Sequence, residues 1–178
     1  TVFKERFDMV ESINWDNVNL RLHGNWDEWV NENNPASLKL QKYLINNEVY
    51  TSNAEYAKYY RNAKIALNVH RTRADIEGET NPLDNYNDAY SIGPRIYEAA
   101  ACGTFIITDY RKEAEDIFGD TIEFFDSNED LEKKIHYWLD PEHEQERINK
   151  AQAARGKIQN CTFNDRLEHN ILPVLHEV

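Results

Sequence analysis

Apolar runs of strand length alternate with stretches of helical period along most of the chain. The runs at 65–69 and 104–108 are almost continuously apolar, which is typical of central parallel strands with both faces covered, and a shorter run follows at 122–125. Helical spacing predicts helices at about 94–102, 111–117, 128–139, 141–160 and 164–175. This alternation predicts an α/β fold with a doubly wound sheet of about five parallel strands. Ligands of such a sheet bind outside the carboxyl ends of its strands.

The N-terminal third of the chain has a weaker pattern. Residues 2–13 place apolar side chains near helical spacing, and 18–22 alternates as a strand does. We expect a second helix from Pro35 to about residue 45, followed by a short strand at 48–50. Helix caps are expected at three hydroxyl residues, the first of them with Glu55 in a capping-box pattern: Ser52, Ser127 and Thr162.

The helix at 94–102 carries the clearest candidate site. Pro94 stands just inside its start and Gly103 just past its end, an asymmetry that helix termini favour. The free amides at the start of a helix attract anions, phosphate above all. Pro94 cannot contribute, because proline has no amide proton. The donors are therefore the amides of Gly93, Arg95 and Ile96. Glu98 is the only carboxylate of this helix and could accept hydrogen bonds from hydroxyls beside the phosphate, which indicates a nucleotide or nucleotide-sugar ligand.

The segment from 70 to about 90 follows the central strand without a helical or strand period. Loops of this length are usually functional or disordered. The switch-point rule brings the start of the segment and Gly93 to one crevice, where Arg71 and Arg95 would flank a diphosphate. The alternative is that these arginines pair with local carboxylates on the surface. His70 could contact a phosphate or the sugar, or could be a satisfied polar residue at a strand end.

Composition and charge exclude several other classes. A length of 178 residues suits one domain, and a net charge of −12 argues against nucleic acid or an anionic membrane as a partner. No apolar run approaches the length of a membrane span and the N-terminus has no signal-peptide profile, so we expect a cytoplasmic protein. The chain opens at Thr1 without an initiator methionine, and we expect a fragment or a processed product.

The sequence predicts neither a metal site nor a cofactor. Asp84 and Asp88 do not form the tight aspartate pair that would hold a divalent cation. The two cysteines, Cys102 and Cys161, lack metal-ligand spacing, and we expect reduced packing residues.

The run from Gly93 to Asp109 resembles the C-terminal, donor-binding half of group 1 glycosyltransferases with the two-domain GT-B fold. The closest resemblance is to their bacterial CgeB-like branch, of the spore-maturation type. The resemblance covers roughly residues 45 to 172. It rests on the order and spacing of this run and of four further segments: 64–71, 110–119, 131–139 and 162–166.

This resemblance implies that residues 1–178 form a single Rossmann-like, nucleotide-sugar-binding domain, one half of a GT-B fold. The acceptor-binding N-terminal domain, which often carries a catalytic histidine in such enzymes, would then be absent from this chain. The chain alone would bind a nucleoside-diphosphate sugar without turning it over. By analogy with group 1, the transfer would be metal-independent and retaining, to an acceptor that the sequence does not identify.

The resemblance also assigns roles to individual residues. In the family, the second glutamate of a pair separated by seven residues accepts hydrogen bonds from the nucleotide ribose. The resemblance assigns this role to Glu98. The first of that pair falls at Tyr90 in this chain, which puts recognition of the donor sugar in doubt. Tyr50 and Thr51 occupy the place where family members hold the base, although Tyr50 could equally be a core residue.

Two other functions stay open at this point. The chain could be a non-catalytic interaction domain of GT-B type that docks a partner through its acidic surface and its N-terminal tryptophans, which include Trp15, Trp26 and Trp29. Exposed tryptophans there could equally bind sugar. It could also belong to another GT-B class, such as nucleotide-sugar epimerases, but the sequence shows none of the additional acid and base groups that those would place in the crevice.

Overall fold

The computed structural model describes residues 4–26, 38–46, 51–70 and 90–176. The strands in these ranges are β1 (Leu22–His23), β2 (Leu44–Asn46), β3 (Ile65–Asn68), β4 (Phe105–Asp109) and β5 (Glu123–Phe125). The α-helices are α1 (Lys4–Ser12), α2 (Leu38–Gln41), α3 (Asn53–Asn62), α4 (Pro94–Ala101), α5 (Lys112–Phe118), α6 (Asn128–Leu139), α7 (Glu144–Lys157), α8 (Phe163–Arg166) and α9 (Leu172–His176). Two 3-10 turns, Gly119–Thr121 and Pro141–His143, and a π-helical turn, Leu167–Ile171, complete the list.

The strands form two parallel sheets. In the larger one β4 lies between β3 and β5, with Ile65 opposite Phe105 and Ile107 opposite Glu123. In the smaller one β1 pairs with β2. The α/β class with parallel strands is confirmed, but the strands of the described ranges are divided into sheets of three and two instead of one sheet of about five.

Helices cover both faces of the larger sheet. Phe105 and Ile107 of β4 pack into one buried cluster with α1 and α6, whereas Ile106 packs into a second cluster with α4 and α5. All three side chains are at most 2% exposed. This two-sided burial is the reason for the continuously apolar run, since successive side chains of a strand point to opposite faces.

The predicted helix boundaries agree well in the C-terminal two thirds. Helix α4 ends where Gly103 takes a φ of 74°, the left-handed conformation that glycine adopts without strain. Ser52, Ser127 and Thr162 are all caps whose side chains accept a backbone N–H, and Thr162 forms a full capping box with Asp165. The last predicted helix is interrupted by the π-helical turn between α8 and α9.

Three predicted elements differ from the structure. The second helix ends at Gln41 instead of about residue 45, because residues 44–46 form β2 beside β1. The strand predicted at 18–22 is reduced to Leu22–His23, since Asn17 turns the chain with a φ of 63° and the Leu20 amide bonds locally to the Val18 carbonyl. Helix α7 begins only at Glu144, after a 3-10 turn that Asp140 caps. The start expected at Pro35 and the strand expected at 48–50 lie outside the described residues.

Candidate nucleotide-sugar site

The carboxyl ends of β3 and β4 are joined by a histidine and an aspartate. The Asp109 Oδ1 atom accepts from the His70 backbone N–H at 2.8 Å and lies 2.9 Å from the His70 Nδ1 atom. The His70 and Asp109 side chains are only 12% and 24% exposed. A ring nitrogen that faces a carboxylate carries a proton, so Asp109 fixes the orientation of the imidazole. His70 therefore lies at the carboxyl ends of β3 and β4, with a partner that the sequence did not reveal.

Polar and cationic groups surround this pair. The Asn68 side-chain amide donates to the Thr108 hydroxyl at 3.0 Å, and its nitrogen lies 3.4 Å from the His70 Nε2 atom. The buried Arg111 guanidinium approaches the second oxygen of Asp109, with Nε 3.8 Å away. Arg6 of α1 donates to the carbonyl of Val69 at 2.7 Å. Two cations thus lie beside the strand ends, where an anionic ligand would be attracted.

The start of α4 offers the amide donors that the sequence predicted. Gly93 is its N-cap in extended conformation, without a side-chain cap, and Pro94 is the first helical residue. The Ile96 amide makes only a long bond of 3.4 Å to the Gly93 carbonyl. Among the described residues, nothing accepts from the amides of Gly93 and Arg95. A helix of eight residues whose first amides are open at the carboxyl edge of a sheet suits a phosphate.

Glu98 and Arg95 are exposed on one face of α4. In the described ranges, no hydrogen bond or ion pair engages either side chain, so neither forms the local surface ion pair that the sequence left open for Arg95. Both act electrostatically on Tyr60 of α3. Burial raises the pKa of the Tyr60 hydroxyl, the Glu98 carboxylate raises it further and the Arg95 charge opposes this. The charges of both side chains therefore act near the Tyr60 hydroxyl.

The segment that leads into α4 is fastened to α5. The Ile92 amide donates to the Glu113 Oε2 atom at 2.8 Å, and the Glu113 amide donates to the Tyr90 carbonyl at 3.0 Å. Tyr90 itself lies at the surface and donates to the Asp116 carboxylate, a hydrogen bond that raises the pKa of its hydroxyl. Because α5 begins three residues after Asp109, these bonds bring the start of α4 to the same edge as the His70–Asp109 pair.

The remaining predicted residues are not joined to this edge by any described contact. Thr51 is half-buried beside the Ser52 cap of α3. Tyr50 and Arg71 lie outside the described residues. Trp15 and Trp26 are 6% and 4% exposed in the core, so the expectation of exposed N-terminal tryptophans is wrong for these two, while Trp29 is not described.

Four residues at the carboxyl edge escaped the sequence analysis: Arg6, Asn68, Asp109 and Arg111. For Asp109 a usable signal existed, because it ends a predicted parallel strand next to the strand that ends before His70. Arg111 gave no signal, since a buried arginine after a strand cannot be told from an exposed one in sequence. Asp109 and His70 place a carboxylate and an imidazole side by side at this edge, a pair that the sequence analysis did not find.

Two further observations concern the described ranges as a whole. They contain no group of three or more histidine, cysteine, aspartate or glutamate side chains placed to hold a metal ion. None of their helices combines the length and the apolar character needed to cross a membrane. The open concavities beside Trp15 and beside Trp138 lie away from His70, Asp109 and Glu98.

These features define an α/β protein with a Rossmann-like fold and a group of polar side chains at the carboxyl ends of its parallel strands. The glycosyl transferase-like family matches residues 6–170, most of the chain, and the chain belongs to this family. This agrees with the resemblance to GT-B glycosyltransferases at the level of the family. Neither a curated protein nor a solved structure matches the chain.

Proposed function

We propose that this chain is the donor-binding domain of a glycosyltransferase and holds a nucleoside-diphosphate sugar at the start of α4. One observation carries the proposal. In a member of a glycosyl transferase-like family, α4 begins at the carboxyl edge of the sheet with open amides and with a carboxylate that no described residue engages.

The diphosphate is the part of the donor that this edge suits best. The amides of Gly93, Arg95 and Ile96 and the positive end of the helix dipole would face the phosphates, and the Arg95 guanidinium would add a forked donor. His70, whose ring Asp109 holds in place, is proposed to contact a phosphate or the sugar. Fixed dipoles and cations of this kind stabilise charge on a leaving nucleoside diphosphate, so the proposed transfer needs no metal.

Glu98 is proposed to hold the ribose. A carboxylate can accept from two vicinal hydroxyls at once, and Glu98 lies one turn inside the helix whose start would hold the phosphates. Tyr50, Thr51 and Arg71 are proposed to complete the donor site on the base and phosphate sides. Tyr90 donates to Asp116, so its proposed contribution is to the shape of the turn before Gly93.

The remainder of the proposal follows the GT-B resemblance. Residues 1–178 act as one nucleotide-sugar-binding domain, and an acceptor-binding domain completes the enzyme across the crevice. The sugar is transferred with retention of configuration. The burial of Trp15 and Trp26 removes part of the surface on which a purely docking role would depend, which favours donor binding over that alternative.

A second candidate is epimerisation of a nucleotide sugar, which gains support from the His70–Asp109 pair because such a reaction needs an acid and a base at the sugar. Proton exchange between the sugar and the solvent distinguishes the two functions. Incubation of the chain with a nucleotide sugar in D₂O would exchange a ring proton in an epimerase, whereas a donor-binding domain would leave the sugar unchanged.

The test of donor binding is a thermal-shift and calorimetry panel with UDP, GDP, ADP, dTDP and their sugars, in the presence of a chelator. A ligand present at 100 times its dissociation constant stabilises the protein by about 2.7 kcal/mol. We expect one nucleoside diphosphate to bind selectively and Glu98→Gln to weaken it, with Glu129→Gln, an exposed glutamate in the first turn of α6, as the matched control. No shift with any of them at millimolar concentration would contradict the proposal.

A further inference from the structure

The turn before α4 is held by a single acidic side chain. Glu113, in the first turn of α5, accepts from the Ile92 amide through Oε2 at 2.8 Å and donates its own amide to the Tyr90 carbonyl at 3.0 Å. These two bonds run in opposite directions and enclose Ser91. The two bonds therefore fasten the turn before Gly93 to the first turn of α5.

The second oxygen of the same carboxylate is also occupied. The Tyr97 hydroxyl of α4 donates to Glu113 Oε1 at 3.3 Å, and Arg166 of α8 donates to that hydroxyl at 2.7 Å with its guanidinium 4.9 Å from the centre of the Tyr97 ring. Glu113 thus joins the turn before α4, the first helical turns of α4 and the start of the C-terminal helices. Donors therefore occupy both oxygens of this carboxylate.

The bond to Ile92 also decides which amides face the crevice. With the Ile92 N–H directed to Glu113, the open donors begin at Gly93 and continue at Arg95. If the Ile92 amide were released, the turn could rotate and the Gly93 amide would lose its direction toward the crevice. Preorganised donors are worth more to an anion than mobile ones, since no ordering cost is then added on binding.

We propose that Glu113 is a positioning residue for the diphosphate: it orients the Ser91–Gly93 turn so that the amides at the start of α4 point at the phosphates. This inference rests on the proposed donor-binding function. The carboxylate touches no part of the ligand itself, so Glu113 sets affinity for the phosphates and leaves the contacts to the nucleoside unchanged.

The variants distinguish positioning from a general loss of structure. Glu113→Ala removes both acceptors, whereas Glu113→Gln keeps an oxygen for the Ile92 amide and nearly the same shape. Glu115→Ala is the matched control, because Glu115 lies two residues further along α5 and, among the described residues, its side chain bonds only to Tyr110 and Lys112 at the surface. Circular dichroism and thermal unfolding establish that each variant is folded before binding is measured.

The experiment compares UDP, GDP, ADP and dTDP with their nucleosides by calorimetry and NMR titration of the intact chain. Loss of one charge-assisted bond at the turn should weaken the diphosphate that binds about tenfold or more in Glu113→Ala. The nucleoside, Glu113→Gln and Glu115→Ala should stay within about threefold of the wild type. Amide hydrogen exchange at Ile92 should accelerate only in Glu113→Ala.

The possible failures are distinct. If the wild type binds none of the four diphosphates, the donor-binding function is wrong and this inference is overturned with it. If the wild type binds and Glu113→Ala loses diphosphate and nucleoside affinity equally, or loses neither, only the positioning role is overturned.

Discussion

Replacing Asp109 by alanine should destabilise the fold through the loss of one carboxylate. The side chain accepts two hydrogen bonds from His70, at 2.8 and 2.9 Å, and faces the buried Arg111. Hydrogen bonds to a charged group contribute about 1.5–3 kcal/mol each, and partial exposure of Asp109 lets water replace some of this. We expect a loss of about 3 kcal/mol, which for a chain of this length lowers Tm by roughly 6–12 °C.

Asp109→Asn removes the charge of the side chain but keeps its shape. The amide oxygen still accepts from the His70 backbone N–H, so we expect a loss of about 1 kcal/mol. Asp126→Ala is the control, because Asp126 follows β5 as Asp109 ends β4 but is exposed, and its loss should change stability by less than about 1 kcal/mol.

The assay is urea unfolding followed by tryptophan fluorescence, since Trp15, Trp26 and Trp138 are buried. A change for Asp109→Ala no larger than that for Asp126→Ala would refute the reasoning. It would mean that the contacts between His70 and Asp109 add nothing to the folded state.

Two further predictions concern glycines and a tyrosine. Gly103→Ala should lower the free energy of unfolding by about 1–2 kcal/mol because Gly103 has a left-handed φ of 74°, whereas Gly156→Ala in α7 should raise it by about 0.5 kcal/mol. Neither added methyl group would meet a neighbouring side chain within 4 Å, so the difference comes from the backbone alone. Equal effects of the two substitutions in urea unfolding would contradict this argument. Burial and the Glu113 charge raise the pKa of the Tyr97 hydroxyl and Arg166 lowers it. In NMR titrations of ¹³Cζ-labelled tyrosine we therefore expect Glu113→Gln to lower this pKa and Arg166→Gln to raise it, and shifts of the same sign would contradict the contacts.

Much of the larger sheet and its helices was predictable because local patterns decide them. Residues 105–107 of β4 are buried on both faces, and successive apolar residues are the pattern of a strand of that kind. The start and end of α4 depend on Pro94 and Gly103, whose backbone preferences are local. Thr162 and Asp165 likewise cap α8 within four residues of sequence.

The parts that sequence missed depend on distant partners. Residues 44–46 have an apolar pattern that suits a helix end equally well, and only pairing with β1, some twenty residues earlier, makes them a strand. His70 and Asp109 are 39 positions apart, so nothing local relates them. Trp15 and Trp26 are buried by tertiary packing in a region with little periodicity.

The most direct test of the central claim is a thermodynamic cycle on the ribose. Dissociation constants of UDP, GDP and ADP would be compared with those of their 2′-deoxy forms, for wild type, Glu98→Ala and the control Glu129→Ala. If Glu98 binds the ribose hydroxyls, the wild type and the control should prefer the ribonucleotide that binds by about 10- to 150-fold, and Glu98→Ala should bind both forms alike. An equal preference in all three proteins would contradict the claim that the start of α4 holds a nucleotide through Glu98.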